Sequence, residues 1–253
     1  MSRALAFSVV LAVALALASM AAAEVVQKGN IRVKFEGELT PKALPRTGDA
    51  PVHVAVGASI TALNPSTPPQ LKKISIAINS AGRFSPGVLP TCTLRDIQPS
   101  TTANALKACG SSLVGTGTFA AKVLLPGEAS FPAGGKLYAF NGVYKGHPAV
   151  LAHVYGTEPV PTSFTLPFVL TERKGELGTV LTASLVGVTG KAGYITELSL
   201  DLGAAKGGKS YLSAGCPAPE GFGSATFAFA KATFDFGKTN LVSTLTRNCK
   251  VRG

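Results

Sequence analysis

The sequence predicts an all-β fold, and two observations carry that prediction. Short runs of residues alternate between apolar and polar side chains, which is the period of a β-strand with one buried face. The 28 glycines and 17 prolines interrupt these runs with turn signals. We therefore expect an antiparallel β-sandwich with Greek-key or jelly-roll connections, containing about ten to twelve strands and one short helix.

The predicted strands follow one another along most of the chain. In each of them apolar residues occupy every second position, and these positions are Ile31, Val33 and Phe35; Val52, Val54 and Val56; Ile74, Ile76 and Ile78; Phe164, Leu166, Phe168 and Leu170; and Leu198, Leu200 and Leu202. In TFAFAKATFDFG, Phe227 and Phe229 hold odd positions but Phe234 and Phe236 hold even ones. This change of parity predicts a turn or a β-bulge near residues 231–233.

The one predicted helix lies in STTANALKAC, which ends at Cys109. Residues 100–102 supply the hydroxyl side chains that cap helix starts, and Gly110 supplies a stop signal. The sequence therefore predicts a short helix next to a cysteine.

The first residues, MSRALAFSVVLAVALALASMAAAEVV, resemble a secretory signal peptide. Arg3 precedes an apolar run that ends in small residues, with Ala21 and Ala23 at the spacing that signal peptidase prefers. An uncleaved anchor is the alternative, but alanine dominates the run and is weakly hydrophobic. We expect residues 1–23 to be a cleaved signal peptide and residues 24–253 to form one secreted β-sandwich domain, in the extracellular space or the periplasm and cell envelope.

Residues 44–48 spell LPRTG, which matches a sortase sorting signal. Such a signal is followed by an apolar stretch and a basic tail, whereas this match lies near the start of the expected mature chain. We interpret it as a turn between two strands.

Four cysteines, an even number, are expected to oxidise in an exported chain. Three pairings are open, and loop closure favours Cys92–Cys109 and Cys216–Cys249. A zinc site would need paired ligands such as Cys-x-x-Cys or histidines at helical spacing, and a redox pair would need Cys-x-x-Cys. Neither pattern occurs in the sequence, and a cysteine nucleophile would need an unpaired thiol. We predict two structural disulfides and neither a metal site nor a cofactor.

The chain carries 24 basic and 13 acidic residues, a net charge of +11, or +10 once Arg3 is removed with the signal peptide. Such a charge favours anionic partners, including cell-wall polymers and acidic polysaccharides. The basic residues are dispersed, which does not indicate a specific nucleic-acid reader.

The motifs of known enzymes are missing or out of context. Residues 115–120 match a dinucleotide-binding pattern, but they precede a predicted strand instead of opening a helix. The sequence contains no nucleophile elbow, no His-Glu-x-x-His and no phosphate loop. The closest carboxylate pairs, Glu36/Glu38 and Glu197/Asp201, lie on predicted strands and indicate solvated faces, although distant strands could still assemble a pair.

The best remaining candidates lie in GHPAVLAHVYGTEP. His147 and His153 share one predicted strand face with Tyr155, and we interpret His153 as a buried, hydrogen-bonded side chain. If the strand holds a site, its binding residues are His153, Tyr155 and Glu158. No catalytic residue is predicted.

Several segments resemble a family of uncharacterised exported, β-rich bacterial proteins with four cysteines, mostly of soil actinobacteria and their relatives. These segments are STPPQLKKISIAINSAGRF, LPTCTLRDIQPSTTANALKAC, LVGTGTFAAKVLLP, LAHVYGTEPVPTSFTLPF and YLSAGCPAPEGF. The resemblance assigns no activity, ligand or catalytic residue to these positions.

The sequence thus favours a secreted, non-catalytic binding or structural protein of the cell envelope or the extracellular space, with anionic polymers as candidate ligands. Two alternatives stay open: an exported hydrolase with a site assembled from distant strands, and a β-sandwich that docks proteins at its strand edges.

Overall fold

Most of the alternating segments form strands. The structure, a computed structural model, describes residues 23–64, 70–124, 127, 129–156, 161–185 and 193–252. The predicted signal peptide lies outside these ranges, apart from Ala23.

The described residues contain 19 strands, two α-helices and two turns of 3₁₀-helix, at residues 86–88 and 110–112. The strands are β1 (Glu24–Lys28), β2 (Ile31–Thr40), β3 (Ala43–Leu44), β4 (Ala50–Pro51), β5 (His53–Ala62), β6 (Lys73–Asn79), β7 (Gly82–Phe84), β8 (Cys92–Thr93), β9 (Leu113–Val123), β10 (Phe131–Tyr144), β11 (His147–Gly156), β12 (Thr162–Glu172), β13 (Leu177–Ser184), β14 (Gly193–Leu202), β15 (Ala205–Lys206), β16 (Lys209–Ser210), β17 (Leu212–Ala214), β18 (Ser224–Asp235) and β19 (Asn240–Val251). The α-helices are α1 (Leu94–Ile97) and α2 (Thr102–Cys109).

One curled sheet holds 14 of the strands in the described ranges, in the order β1-β2-β5-β14-β9-β10-β11-β12-β13-β6-β18-β19-β3, with β8 added beside β10. A three-stranded sheet, β4-β17-β7, and the pair β15-β16 complete the strands. The all-β class is therefore confirmed. The strands number more than predicted, and the main ladder is a single continuous sheet.

The curl brings the two halves of the sheet face to face across the main core. Phe35 of β2 meets Phe234 of β18 edge-on, with ring centroids 5.9 Å apart, and Phe119 of β9 meets Phe164 of β12 at 4.9 Å. Neither pair belongs to neighbouring strands. The apolar positions of the alternating segments point into this shared core, which drives the fold through the burial of apolar surface.

The two ends of the sheet also meet. The guanidinium Nε of Arg247 on β19 donates to the carbonyl oxygen of Gly37 on β2 at 2.7 Å. Strand β3 pairs in parallel with the end of β19. The edge at β19 is therefore covered by other parts of the chain.

The parity change in β18 is a β-bulge, but it lies at Phe229, just before the predicted residues 231–233. The register with β19 shifts between Ala228 and Ala230, while the strand continues to Asp235. The bulge lets Phe229, Ala230 and Phe234 all reach buried positions.

The helical segment, residues 92–112, covers the outer face of β10 and β11. The disulfide Cys92–Cys109 joins β8 to the end of α2 and belongs to a second, smaller core with Ile97, Phe140 and Leu151. Thr101 caps α2 by accepting a hydrogen bond from the Asn104 amide at 3.3 Å. The predicted helix and the predicted disulfide are both confirmed.

The second predicted disulfide, Cys216–Cys249, is also confirmed, and it lies in the main core. The LPRTG segment packs beside it: Leu44 is fully buried, and the Cys216 amide donates to the Pro45 carbonyl oxygen at 2.8 Å. Because Leu44 belongs to the core, this segment is a structural connection in the folded protein.

The glycines of the apparent dinucleotide motif lie inside β9. A Cβ atom at Gly115 or Gly117 would come within about 2 Å of the backbone carbonyl oxygens of Asp201 and Ser199 on β14. Only glycine permits this close approach of the two strands, so the motif serves sheet packing.

None of the helices in the described ranges is both long and apolar enough to cross a membrane.

Candidate functional site

A groove of about 540 Å³ opens on the outer face of the curled sheet, across β2, β5, β14, β9 and β10. Cavities that bind small molecules or polymer segments have volumes of roughly 300–1,000 Å³. It is far larger than two other cavities among the described residues, which have volumes of about 50 and 10 Å³. We take it as the candidate site.

Two rows of cross-strand neighbours line the groove. The first row runs Glu36, Gly57, Ser199, Thr118, Lys136, and the second runs Glu38, Ala55, Asp201, Thr116, Tyr138. Neighbours in a row point to the same side of the sheet and lie about 5 Å apart. Each row therefore crosses four strand spacings, about 19 Å.

The floor is low because its side chains are small. Ala55, Gly57 and Ser199 occupy the middle strands, and larger side chains rise at both ends. The floor is thus a consequence of local composition on a regular sheet, which holds the lining groups in fixed positions.

One end of the groove is acidic. Glu36 pairs with Lys34 at 2.8 Å and Glu38 pairs with Lys42 at 3.2 Å, with all four side chains about half exposed. Exposed ion pairs of this kind contribute little to the free energy of unfolding, so they can rearrange when a ligand binds. A third carboxylate, Asp201, lies on the middle strand β14 and forms no ion pair with any residue that the structure describes.

Hydroxyl groups organise the floor. The Thr118 hydroxyl lies 2.7 Å from the Ser199 hydroxyl and can donate to Glu197 Oε1 at 3.0 Å. The Thr118 backbone amide donates to the side-chain oxygen Oγ of Ser199 at 3.0 Å. Because these groups hold one another in place, the floor presents ordered donors and acceptors to a ligand.

The opposite end carries Lys136 and Tyr138 of β10. The Tyr138 ring also packs against the smaller core beneath the helical segment. Its ring is the one aromatic side chain in the described lining.

His153 lies on the continuation of the second row, beneath the helical segment and outside the groove. It pairs across strands with Tyr138 on β10 and with Thr165 on β12, and it is fully buried. Its burial was expected. The expected hydrogen bond is not found among the described residues, since neither ring nitrogen of His153 has a partner there. The neighbouring Thr165 Oγ1 has no partner among them either. Burial lowers the pKa of the imidazole because desolvation penalises its charged form.

The other two predicted binding residues lie apart from the groove or outside the described residues. Tyr155 is half-buried at the outer end of β11 and pairs with Ser163. Glu158 lies outside the described residues. Among the described residues, the one connection between the predicted binding residues and the groove is the pairing of His153 with Tyr138, which lines the groove.

Asp96 lies close to the two sulfur atoms of Cys92 and Cys109, within 4.8 Å. The sulfurs are bonded to each other, so neither is a thiolate that could hold a metal ion. The Asp96 carboxylate instead accepts hydrogen bonds from the side chain and the backbone amide of Thr93, and these lower its pKa. This cluster stabilises the start of α1.

Sequence reasoning interpreted the groove carboxylates as solvated faces of single strands. It missed their convergence, because Glu38 and Asp201 become neighbours only when β5 pairs with both β2 and β14. The available signal was weak: polar or small residues at alternate positions on several strands. Compared with known proteins, the chain matches no family model, no curated protein and no solved structure.

Proposed function

We propose that this protein is a secreted, non-catalytic binding protein and that its ligand is a glycan held in the groove. The two disulfides indicate an oxidising, extracytoplasmic environment, which agrees with the expected signal peptide. The fold we assign to the β-sandwich class, supported by the ring contacts that join the two halves of the sheet.

The single observation that carries this proposal is the lining of the groove. A trough about 19 Å long, floored by ordered hydroxyls and small side chains, fits an extended polymer segment rich in hydroxyl groups. Carboxylates accept hydrogen bonds from sugar hydroxyls, and these charge-assisted bonds are stronger than neutral ones. The Tyr138 ring supplies a face on which a sugar ring can pack.

The unpaired carboxylate in the middle of the groove determines the kind of sugar. Asp201, which forms no ion pair among the described residues, would repel a uronic acid or a sulfated unit, whereas an ammonium group would pair with it. We therefore expect a neutral sugar polymer or one that carries amino sugars.

The test is calorimetric binding of the oxidised mature chain to chitosan oligomers, N-acetylated chitin oligomers and polygalacturonate. Asp201→Asn should weaken binding of the chitosan oligomers about tenfold, which corresponds to about 1.4 kcal/mol. Glu172→Gln, an exposed carboxylate on β12 outside the groove, is the matched control and should bind as the wild type does. Equal binding by Asp201→Asn and the wild type would overturn the proposed site.

A second candidate function, binding of anionic polymers, is favoured by the net charge of +11. The groove gathers acidic residues, so an anionic polymer would bind elsewhere on the molecule. Polygalacturonate in the same assay tests this candidate, because its binding should be unaffected by Asp201→Asn and should fall with salt.

The hydrolase alternative is favoured by one observation, the presence of Glu38 and Asp201 in one groove. The two residues are two strands apart, so their Cα atoms lie about 10 Å apart. Release of new reducing ends from the chitosan or chitin oligomers by the wild-type protein would favour the hydrolase over the non-catalytic proposal.

A further inference from the structure

The loop at residues 217–223, directly after Cys216, is held from below by one arginine. The guanidinium of Arg46 donates to the carbonyl oxygens of Ala218 at 2.8 Å, of Phe222 at 2.6 Å, and of Pro219. The Phe222 amide closes a turn by donating to the Pro219 carbonyl oxygen at 3.1 Å. The loop backbone is therefore well anchored although it lies at the surface.

This anchored loop exposes its aromatic side chain. Phe222 is 63% exposed, more than any other large hydrophobic residue in the described ranges. A ring on a fixed backbone loses little conformational entropy when a ligand covers it. The exposed ring thus has the properties of a contact residue.

Two cationic residues lie at the end of the strand beside this loop. The Val251 amide donates to the Gly223 carbonyl oxygen, and Ser224 pairs with Lys250, so the end of β19 lies beside the loop. Lys250 and Arg252 alternate with the inward-facing Cys249 and Val251, and both are exposed. Neither forms an ion pair with a residue that the structure describes.

One acidic residue, Glu220, lies in the same loop and is exposed. Lys250 and Arg252 outnumber it, so the charges of the loop and of the adjacent strand end are net positive together. We call Phe222, Lys250 and Arg252 the tip surface.

We propose that the tip surface binds an acidic polysaccharide, with a sugar ring stacked on Phe222 and its anionic groups paired with Arg252 and Lys250. A guanidinium can hold a carboxylate through two parallel hydrogen bonds, which favours Arg252 as the main anion contact. A membrane surface fits less well, because the loop offers a single aromatic ring and so little apolar area to bury.

This inference rests on the second candidate function and concerns a surface separate from the groove. The probe is polygalacturonate, titrated into the oxidised mature protein at physiological salt, with neutral dextran and phosphatidylglycerol vesicles as comparison probes. Phe222→Leu should weaken polygalacturonate binding at least tenfold, while Phe222→Tyr should keep it within twofold, since a sugar stacks on an aromatic ring and not on leucine. The control is Val242→Ala, an exposed apolar side chain on β19 that is 46% exposed and outside the tip surface.

The charge contribution is tested separately with Lys250→Gln/Arg252→Gln. This variant should bind more weakly and should show a shallower dependence of log K on log salt than the wild type, because fewer counter-ions are displaced. Thermal melting of every variant establishes that it is folded before its binding is interpreted.

The outcomes separate the surface from the function. If the Phe222→Leu variant and the Lys250→Gln/Arg252→Gln variant both bind polygalacturonate as tightly as the wild type, the tip surface is overturned. The second candidate function would be unaffected by that result. Stronger binding of the wild-type protein to the vesicles than to the polysaccharide would also overturn the tip surface. Equal binding of polygalacturonate by Phe222→Leu and Phe222→Tyr would do the same. No binding of polygalacturonate by the wild type at low salt would overturn both.

Discussion

Two regions of this molecule carry one disulfide each, and they use it differently. The helical segment joins Cys92 to Cys109 in a small core on the outer face of the sheet, separate from the main one. The other region joins Cys216 to Cys249 inside the main core, next to Leu44. The first disulfide attaches a covering layer, whereas the second attaches a loop to the body of the protein.

The polar groups in the two regions differ as well. Beneath the helical segment, His153 and Thr165 are buried with side-chain atoms that have no partner among the described residues. Beside the second disulfide, Arg46 satisfies several loop carbonyl groups at once. Buried side-chain atoms without a described partner also occur on the main-core side, at Tyr211 Oη and at Ser243 Oγ of β19. The small size of its core is therefore the reason to expect the helical segment to open more easily than the rest.

The largest expected effect comes from removing each disulfide. Cys216→Ala/Cys249→Ala should lower the free energy of unfolding by about 4 kcal/mol, and Cys92→Ala/Cys109→Ala by about 3 kcal/mol, since the loops span 33 and 17 residues. Urea denaturation of both variants and the wild type measures these values.

Hydrogen exchange distinguishes the two regions more sharply than the global free energies of unfolding do. Loss of Cys92–Cys109 should speed exchange in α2 while the amides of β19 stay protected. Uniform loss of protection in both variants would contradict the distinction between a covering layer and the main core.

The next effect compares two fully buried side chains, one in each region. Ile97→Ala in α1 and Leu44→Ala in β3 should each remove about 3 kcal/mol of packing free energy. The Ile97 variant should lose protection mainly in the helical segment, and the Leu44 variant should lose stability globally. Hydrogen exchange read by mass spectrometry tests this, and the reverse pattern would break the comparison.

Alternation in the sequence was enough to predict the strand faces, because a period of two determines which side of a strand is buried. In β19, Leu241, Leu245 and Cys249 are all buried as this rule requires. Parity placed the bulge near residues 231–233, although any extra residue between the two pairs of phenylalanines would restore all the rings to one face. The structure puts it slightly earlier, at Phe229.

The groove was beyond the same reasoning. Strand order decides which polar faces become neighbours, and pairings between residues far apart in sequence leave no local pattern. The apolar character of both faces of β11 was visible in the sequence, but the helical segment that covers Leu151 was not. The disulfide pairing succeeded because loop closure depends on sequence separation alone.

A smaller effect should appear as a dependence of stability on pH. Burial lowers the pKa of His153 in the folded protein, so the unfolded chain binds the proton more readily. The contribution of the neutral, buried His153 to the free energy of unfolding should therefore be complete above about pH 6.5, and it should decrease as the pH falls below that value. Tyr138 and Thr165 face the ring from the neighbouring strands, and neither carries a charge to offset the penalty.

The variant His153→Leu should remove this part of the pH dependence. His147→Gln, at an exposed position on the same strand, should retain it. Urea denaturation between pH 4.5 and 8 measures the slopes. An unchanged slope in His153→Leu would show that other groups cause the acid sensitivity.

The smallest expected effect lies in the second region and tests its rigidity. Arg46→Lys keeps the charge but cannot reach several carbonyl oxygens with one planar group, so it should cost about 1–2 kcal/mol. Because the Cys216–Cys249 bond still holds the loop, most of this cost should appear as faster exchange of the Phe222 amide instead of a lower melting temperature. Thr47→Ala, an exposed neighbour, is the control and should change neither quantity. If Arg46→Lys leaves the Phe222 amide as protected as in the wild type, the disulfide alone orders this loop. The contrast between the two regions would then rest on their cores and not on how they satisfy their polar groups.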